Sequence, residues 1–387
     1  MKYMKALFKG NIRQYGMIIV MVVMAVFFHF ATQGLLLTPL NLTNIILQNA
    51  YILIMICGML PLILTGMFDM SVGSVAAVVG ALAAILQVNL KVGFLPTLLI
   101  CLVTGAVIGV WQGFWIAYRG VPAFIATLSS QLIFRGLTIL VLDGRSIGPF
   151  SDAFRAMSSS FVPDVFHGQG LHITTMVIAL LLCIWYVLSH LRARRTQAQY
   201  GMEVAPAWSE TVKYVLICLV ILGFSYLFAS YQGFPTVLVI VAALILLYNF
   251  VCQRSIIGRH LYAIGGNSRA AALSGVKTKL TVFAAFINMG VVAALAGVVY
   301  AARLNAATPK AGNGFELDAI AACFVGGASV TGGSGTIAGA IIGGLMIGVL
   351  NNGMSMMGIS IDIQQSVKGL VILFAVAFDM YSKSRQK

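Results

Sequence analysis

Charge is what this sequence has least of. Only 9% of its 387 residues are Asp, Glu, Lys or Arg, against about 25% in a typical soluble domain. Too few polar residues remain to cover a water-facing surface. That excludes an ordinary soluble enzyme, a disordered chain and a nucleic-acid binder that reads through a basic groove. Acids are scarcest, with 10 Asp and Glu against 24 Lys and Arg. The six cysteines, Cys57, Cys101, Cys183, Cys218, Cys252 and Cys323, are far apart in sequence and form no Cys-x-x-Cys or Cys/His metal spacing. Most lie in apolar runs, where a thiol behaves as a small hydrophobe. Neither a disulfide nor a structural metal is expected. His29, His167, His172, His190 and His260 are equally scattered.

Catalytic signatures are missing too. There is no Gly-x-x-x-x-Gly-Lys-Ser/Thr loop, so the chain does not hydrolyse ATP through that device. His-Glu-x-x-His, Gly-x-Ser-x-Gly and paired carboxylates are also absent. Buried acids are too few for a proton relay. This disfavours an ion-driven secondary carrier, although backbone carbonyls can bind sodium.

What is present is apolar length: 60% of the residues are hydrophobic. A run of about 20 apolar residues crosses a bilayer as a helix. Apolar segments fall near 16–37, 43–66, 72–88, 94–118, 122–142, 172–190, 212–230, 234–252, 280–302, 317–330, 335–350 and 366–381. An all-α, polytopic membrane protein follows, with about ten transmembrane helices in a single domain over 1–387. The segments near 66–74 and 312–335 are expected to be broken or re-entrant, since irregular backbone at membrane depth needs protein or a cavity to satisfy it.

The net charge of +14 reads as topology, because Lys and Arg gather on the cytoplasmic side. Arg119, then Arg192, Arg194 and Arg195, then Arg254 to Lys279, then Lys383 to Lys387 fall on the side of the basic N-terminus if segments alternate. Both termini are then cytoplasmic. On the opposite side, the loop from Leu142 to Leu171 is long enough to meet a partner or cover a pore. The polar stretch from Arg192 to Glu210 reads as a mobile linker between two halves. Pro122 and Pro235 each open an apolar helix, where proline is tolerated.

Three stretches carry candidate chemistry. From Tyr262 to Val276, Asn267 or Ser268 is an N-cap candidate. Arg269 to Ser274 reads as a short helix of small residues, and Gly275 as its stop. Such a helix fits a groove on a soluble partner, or is simply a capped hairpin. Asp69, in Thr65–Ser74, is the only acid before residue 142. A charge at membrane depth is a functional candidate, and a cap for the helix beginning near Val72 is the alternative. Glu316 and Asp318 are expected at an external helix start, where an acid meets the positive end of the dipole. Gly335, Gly339 and Gly343 repeat every fourth residue, a small-faced pattern for close helix packing.

At these residues the chain resembles the membrane permease subunit of ABC importers for sugars of the ribose, xylose and galactose type. The resemblance runs over nearly the whole chain. It is carried by Phe68-Asp69-Met70-Ser71-Val72-Gly73, by Val121 to Leu128 with Arg135-Gly136, by Tyr262 to Gly275, and by Leu317 to Gly335. Val367-Lys368-Gly369 adds to it, and Asn352-Gly353-Met354-Ser355-Met356-Met357 looks most like the xylose or multiple-sugar members. The resemblance implies a bacterial cytoplasmic-membrane permease working as a homodimer, with the pathway at the interface. A cytoplasmic ATPase chain, holding ATP and magnesium, would dock on Gly265, Gly266, Asn267, Arg269, Ala270, Ala271, Leu273, Ser274 and Gly275. An external sugar-binding protein would deliver the cargo. This chain would bind no cofactor and no nucleic acid. Phe68, Asp69, Ser71, Phe124, Thr127 and Asn352 are the candidates for the pathway or its gate. Trp111 and Trp115 either line the path or anchor helices at the interface. An ion-coupled carrier or facilitator and a scaffold without transport are the rival classes. Branched-chain amino acids or nucleosides are alternative cargoes.

Overall fold

The computed structural model describes residues 2–168, 170–201 and 206–384, nearly all of them helical. Among the described residues fourteen helices follow in order: α1 (Lys2–Ala31), α2 (Pro39–Leu64), α3 (Val72–Ala84), α4 (Phe94–Gly113), α5 (Ala123–Val141), α6 (Asp152–Ser159), α7 (Ile173–Gln199), α8 (Ala207–Ala229), α9 (Thr236–Arg254), α10 (Ile256–Leu273), α11 (Thr278–Leu304), α12 (Phe315–Val325), α13 (Ile337–Met356) and α14 (Ile361–Ser384). Single π-helical turns extend α3 through Ile85–Asn89 and α4 through Phe114–Tyr118. Extended structure among the described residues is confined to two isolated bridges, Ile147 with Ala307 and Phe161 with Pro235.

Among the described residues nine helices are long and apolar enough to cross a membrane: α2, α3 and α4 with their π-turns, α5, α7, α8, α9, α11 and α13. Gly16–Ala31 within α1 adds a shorter apolar stretch. Both expected breaks are present. Residues 65–71 separate α2 from α3, and residues 326–336 separate α12 from α13. α12 has 11 residues and rises only about 16 Å, half the hydrocarbon thickness.

Local chemistry sets several boundaries. His172 caps α7, accepting at Nδ1 from the Thr175 amide. Ser255 caps α10 by accepting from the Gly258 amide at 3.1 Å, and Thr336 caps α13 by accepting from the Gly339 amide at 3.1 Å. Pro122 and Pro235 immediately precede α5 and α9, which matches their reading as helix openers. The Arg192–Glu210 stretch departs from its reading. α7 runs on to Gln199 and α8 begins at Ala207, because Arg, Gln and Ala are good helix formers whatever their polarity. Arg194 pairs with Glu210 at 2.9 Å. Residues 202–205 of that stretch lie outside the described residues.

The chain forms two compact units. One holds the described residues up to Leu36, Ile45–Ser159 and those from Val237 onward; the other holds Leu37–Asn44 and Ser160–Thr236. α7 and α8 belong to the same unit, so the stretch between them is not a linker between halves. In the larger unit α2 is the central helix, with 83% of its most apolar window buried, while α5 has only 17%. α11 packs along α3 and α4, and α12 packs along α13. The glycine pattern explains the second pairing. A Cβ on Gly343 would overlap the Ala322 carbonyl, and one on Gly339 the Gly326 carbonyl, so the two backbones touch only because side chains are missing.

Candidate functional site

The short helix expected at Arg269–Ser274 is the end of a longer, bent one. α10 carries one residue with non-helical angles, Asn267 (φ −159°, ψ 101°). Its side-chain Oδ1 accepts from the Ala270 amide at 3.0 Å, the N-cap bond that restarts the helix. Gly275, at φ +87°, ends it in the left-handed region. Gly266, Asn267, Arg269, Ala270, Leu273, Ser274 and Gly275 are exposed, and Leu273 is 92% exposed. Ala271 is buried and Gly265 half-buried. The part of α10 before Asn267 was not legible as a helix, since Gly258, Arg259 and His260 interrupt the apolar pattern. Ser255 three residues before Gly258 was the available signal.

The root of this element is locked to both helix breaks. The Gly333 amide donates to the Leu64 carbonyl at 2.9 Å. Tyr262 Oη donates to the Gly335 carbonyl at 2.7 Å. Gly265 lies so close that an added Cβ would overlap the Leu64 carbonyl and the Gly333 amide nitrogen. The C-terminal end of α2, the first part of α10 and the 329–335 loop therefore meet backbone to backbone. Gly266, one residue on, has open space where its Cβ would be.

Asp69 lies in the break between α2 and α3 and is 1% exposed. Of the two readings of Asp69, the cap is not met: Ser71 occupies the N-cap position of α3, without a side-chain cap bond. Asp69 braces that residue: its Oδ1 accepts from the Ser71 amide at 2.8 Å and from the Ser71 hydroxyl at 2.7 Å. Gln112 Nε2 on α4 donates to Ser71 Oγ. A buried carboxylate, a hydroxyl and an amide thus tie the break to α4. Gln112 escapes sequence reasoning because nothing in an apolar helix announces a partner 41 positions away.

Phe68 and Phe124 come together. Both line a cavity of about 500 Å³, with Gly66, Met67, Ile116 and Pro122 among its other walls. Phe124 is 54% exposed. Thr127 and Asn352 are not among the residues that line it. Thr127 is fully buried and its hydroxyl bonds back to the Phe124 carbonyl at 3.4 Å. Asn352 is buried on α13. Trp111 and Trp115 pack edge to face at 5.5 Å, both substantially exposed.

The N-terminal end of α12, opposite the second break, is held from two helices. Arg135 on α5 donates to the Ala311 carbonyl at 2.6 Å, and Gln131 donates to Glu316 at 3.0 Å. Lys368 on α14 pairs with Asp318 at 2.9 Å. Glu316 and Asp318 both occupy the first turn of α12, as expected of acids at a helix start.

The long Leu142–Leu171 loop is not free. Phe150 donates its amide to Asn305 Oδ1 at 2.9 Å, Ser151 donates to Gln87 Oε1 at 2.7 Å, and Phe150 stacks on Phe154 of α6 at 4.4 Å. Further along, Asp164 organises the approach to α7. Its carboxylate accepts from the Thr174 hydroxyl at 2.7 Å, the Thr174 amide at 3.1 Å and the Gly168 amide at 3.0 Å. These bonds, the Thr174 hydroxyl first, hold its pKa well below the usual carboxylate range.

Comparison with known proteins adds identity to this geometry. Residues 41–193 and 203–376 match the family described as branched-chain amino acid transport system / permease component. The chain is 36% identical over 375 residues to the xylose transport system permease protein XylH of Haemophilus influenzae, covering 97% of this chain and 98% of that one. It is 36% identical to the protein of the same name in Escherichia coli K12, over 97% of this chain and 93% of the other. The ribose import permease protein RbsC of Escherichia coli K12 is 32% identical over 88% of this chain and 85% of its own length. No solved structure matches.

Proposed function

Because the chain belongs to the family of branched-chain amino acid transport system permease components, we propose that it is the membrane permease of an ATP-driven importer whose cargo is a monosaccharide of the xylose or ribose kind. The observation that carries the cargo class is the 36% identity to a xylose permease protein across 97% of this chain. The whole chain acts as one permease domain in the bacterial cytoplasmic membrane, with both termini inside. ATP and magnesium are held by a separate ATPase chain, and this chain binds no cofactor.

That ATPase grips the exposed tip of α10, Gly266 to Gly275. The backbone junction at Leu64, Gly265 and Gly333 supports this reading, because a push on the tip is delivered to both helix breaks without slack. Rigid-body motion through a stiff element is a recognised way to switch access. A second copy of the chain packs against α5, whose apolar side chains Phe124, Leu132 and Leu140 are 54%, 71% and 75% exposed. An external binding protein delivers the sugar, and the cavity walled by Phe68 and Phe124 lies on its path. A weakly binding path suffices, since selectivity resides in the delivering protein.

Sealed vesicles test this directly. With the ATPase chain, the binding protein and internal-face ATP, labelled D-xylose or D-ribose accumulates. With permease alone, no gradient of protons or sodium drives uptake. Accumulation by the lone permease would make it an ion-coupled carrier. Uptake of leucine instead of pentoses by the complete system would move the cargo to the amino acids.

A further inference from the structure

A second cavity, of about 560 Å³, opens beside the root of α10 and is apart from the Phe68 cavity. α9 contributes Leu247 and Val251, and Lys277, the N-cap of α11, is followed along that helix by Thr281, Ala284 and Asn288. Both sets follow helical spacing, one wall residue every third or fourth position. Extended by one step, the α9 row reaches Arg254, and the α11 row begins at Lys277. Both cations are exposed, and His260 also lines the space. The walls are thus apolar along their length and cationic at one end.

The surrounding sequence supplies no acid to neutralise that end. From Thr211 to Phe315 the sequence contains no Asp or Glu, while Arg254, Arg259, Arg269, Lys277 and Lys279 crowd into one short stretch. Among the described residues neither Arg254 nor Lys277 forms an ion pair. Polar groups in the walls pair within the chain: the Tyr248 hydroxyl donates to the Asn288 amide oxygen, and the Thr281 hydroxyl donates to the Lys277 carbonyl at 3.1 Å.

We infer that this cavity is a binding site for one anionic phospholipid, its acyl chain between α9 and α11 and its phosphate between Arg254 and Lys277. A soluble anion would leave the apolar walls empty. A neutral lipid would leave the cations unmatched. Only a ligand with a negative head and an alkyl tail satisfies both ends, and membrane-proximal cations attract such lipids. The bound lipid wedges the elbow between α10 and α11, the element from which the ATPase-gripped tip projects. This last point rests on the function and orientation proposed above; the site itself does not.

Native mass spectrometry of the purified permease tests the site without requiring transport. The detergent-solubilised chain is offered equal amounts of dioleoyl-phosphatidylglycerol and dioleoyl-phosphatidylcholine. Preferential retention of phosphatidylglycerol is expected. Arg254→Gln and Lys277→Gln should each reduce that preference about fivefold, with phosphatidylcholine unaffected. Ala284→Trp, which fills the cavity, should reduce retention of both. Equal retention of the two lipids by the native chain overturns the proposal. So does a preference that survives both glutamine substitutions, or retention unchanged by the tryptophan. If the glutamine variants shed the ATPase chain while keeping the lipid preference, the cations serve that chain and the proposal likewise falls.

Discussion

Leu64, the last residue of α2, accepts a 2.9 Å hydrogen bond from Gly333, and Gly265 of α10 is pressed into the same spot. The neighbouring glycines Gly265 and Gly266 therefore do opposite jobs. Gly265→Ala forces backbones apart, an overpacking expected to cost about 1–3 kcal/mol. It should lower the melting temperature of the permease and weaken the coupling of ATP hydrolysis to uptake. A Cβ added at Gly266 meets nothing within 4 Å, so Gly266→Trp can turn its ring away from the junction. It should leave the melting temperature unchanged and abolish co-purification of the ATPase, as should Ala270→Arg. A Gly266→Trp permease that still captured the ATPase normally would remove the docking proposal.

The Asp69 brace makes a distinction that two substitutions resolve. Asparagine keeps an oxygen where Oδ1 accepts from the Ser71 amide and hydroxyl. Asp69→Asn should therefore fold with near-native stability and retain transport. Asp69→Ala leaves buried donors unmatched and should destabilise by about 1–3 kcal/mol, read as a thermal shift in detergent. If Asp69→Asn folds normally yet transports nothing, the charge itself acts in the pathway or gate.

The pair between Asp318 and Lys368 spans α12 and α14 at 2.9 Å, with the aspartate side chain 7% exposed. Removing one partner strands the other in an apolar setting. Lys368→Met should cost of the order of 3 kcal/mol, and adding Asp318→Asn should recover part of it. A double mutant no more stable than Lys368→Met alone would show that the pair is not what anchors α12.

Much of this arrangement is legible in the amino-acid sequence. The breaks at 65–71 and 326–336 announce themselves through a lone acid and a glycine run. The α10 tip shows its cap and its stop in Asn267 and Gly275. What escaped has a common physical origin. Gln112, Gln131 and Lys368 act across long sequence separations, and a single polar residue in an apolar helix names no partner. Arg192–Gln199 looked like linker because polarity was weighed above helix propensity. Asp69 reads either as a functional charge or as a cap, because an acid before a helix often is one, whereas Ser71 takes the cap position and Asp69 holds Ser71. Thr127 shares its motif with Phe124, which lines the cavity, but a motif does not tell which way each position is buried.

The Asp164 hub predicts how the Leu142–Leu171 loop answers to acid. Its pKa is depressed in the folded chain, so its contribution to loop order is present above the unfolded carboxylate value of about 4 and is lost only as pH falls through the lower folded one. Amide hydrogen exchange at Gly168 and Thr174, whose amides donate to Asp164, should therefore stay slow through mildly acidic pH, once corrected for the intrinsic rate. Asp164→Ala should raise exchange at both amides at every pH, while amides of α2 in the larger unit are unchanged. Protection that disappears near the ordinary carboxylate pKa would mean that Thr174 does not hold Asp164 as tightly as the 2.7 Å hydroxyl bond implies.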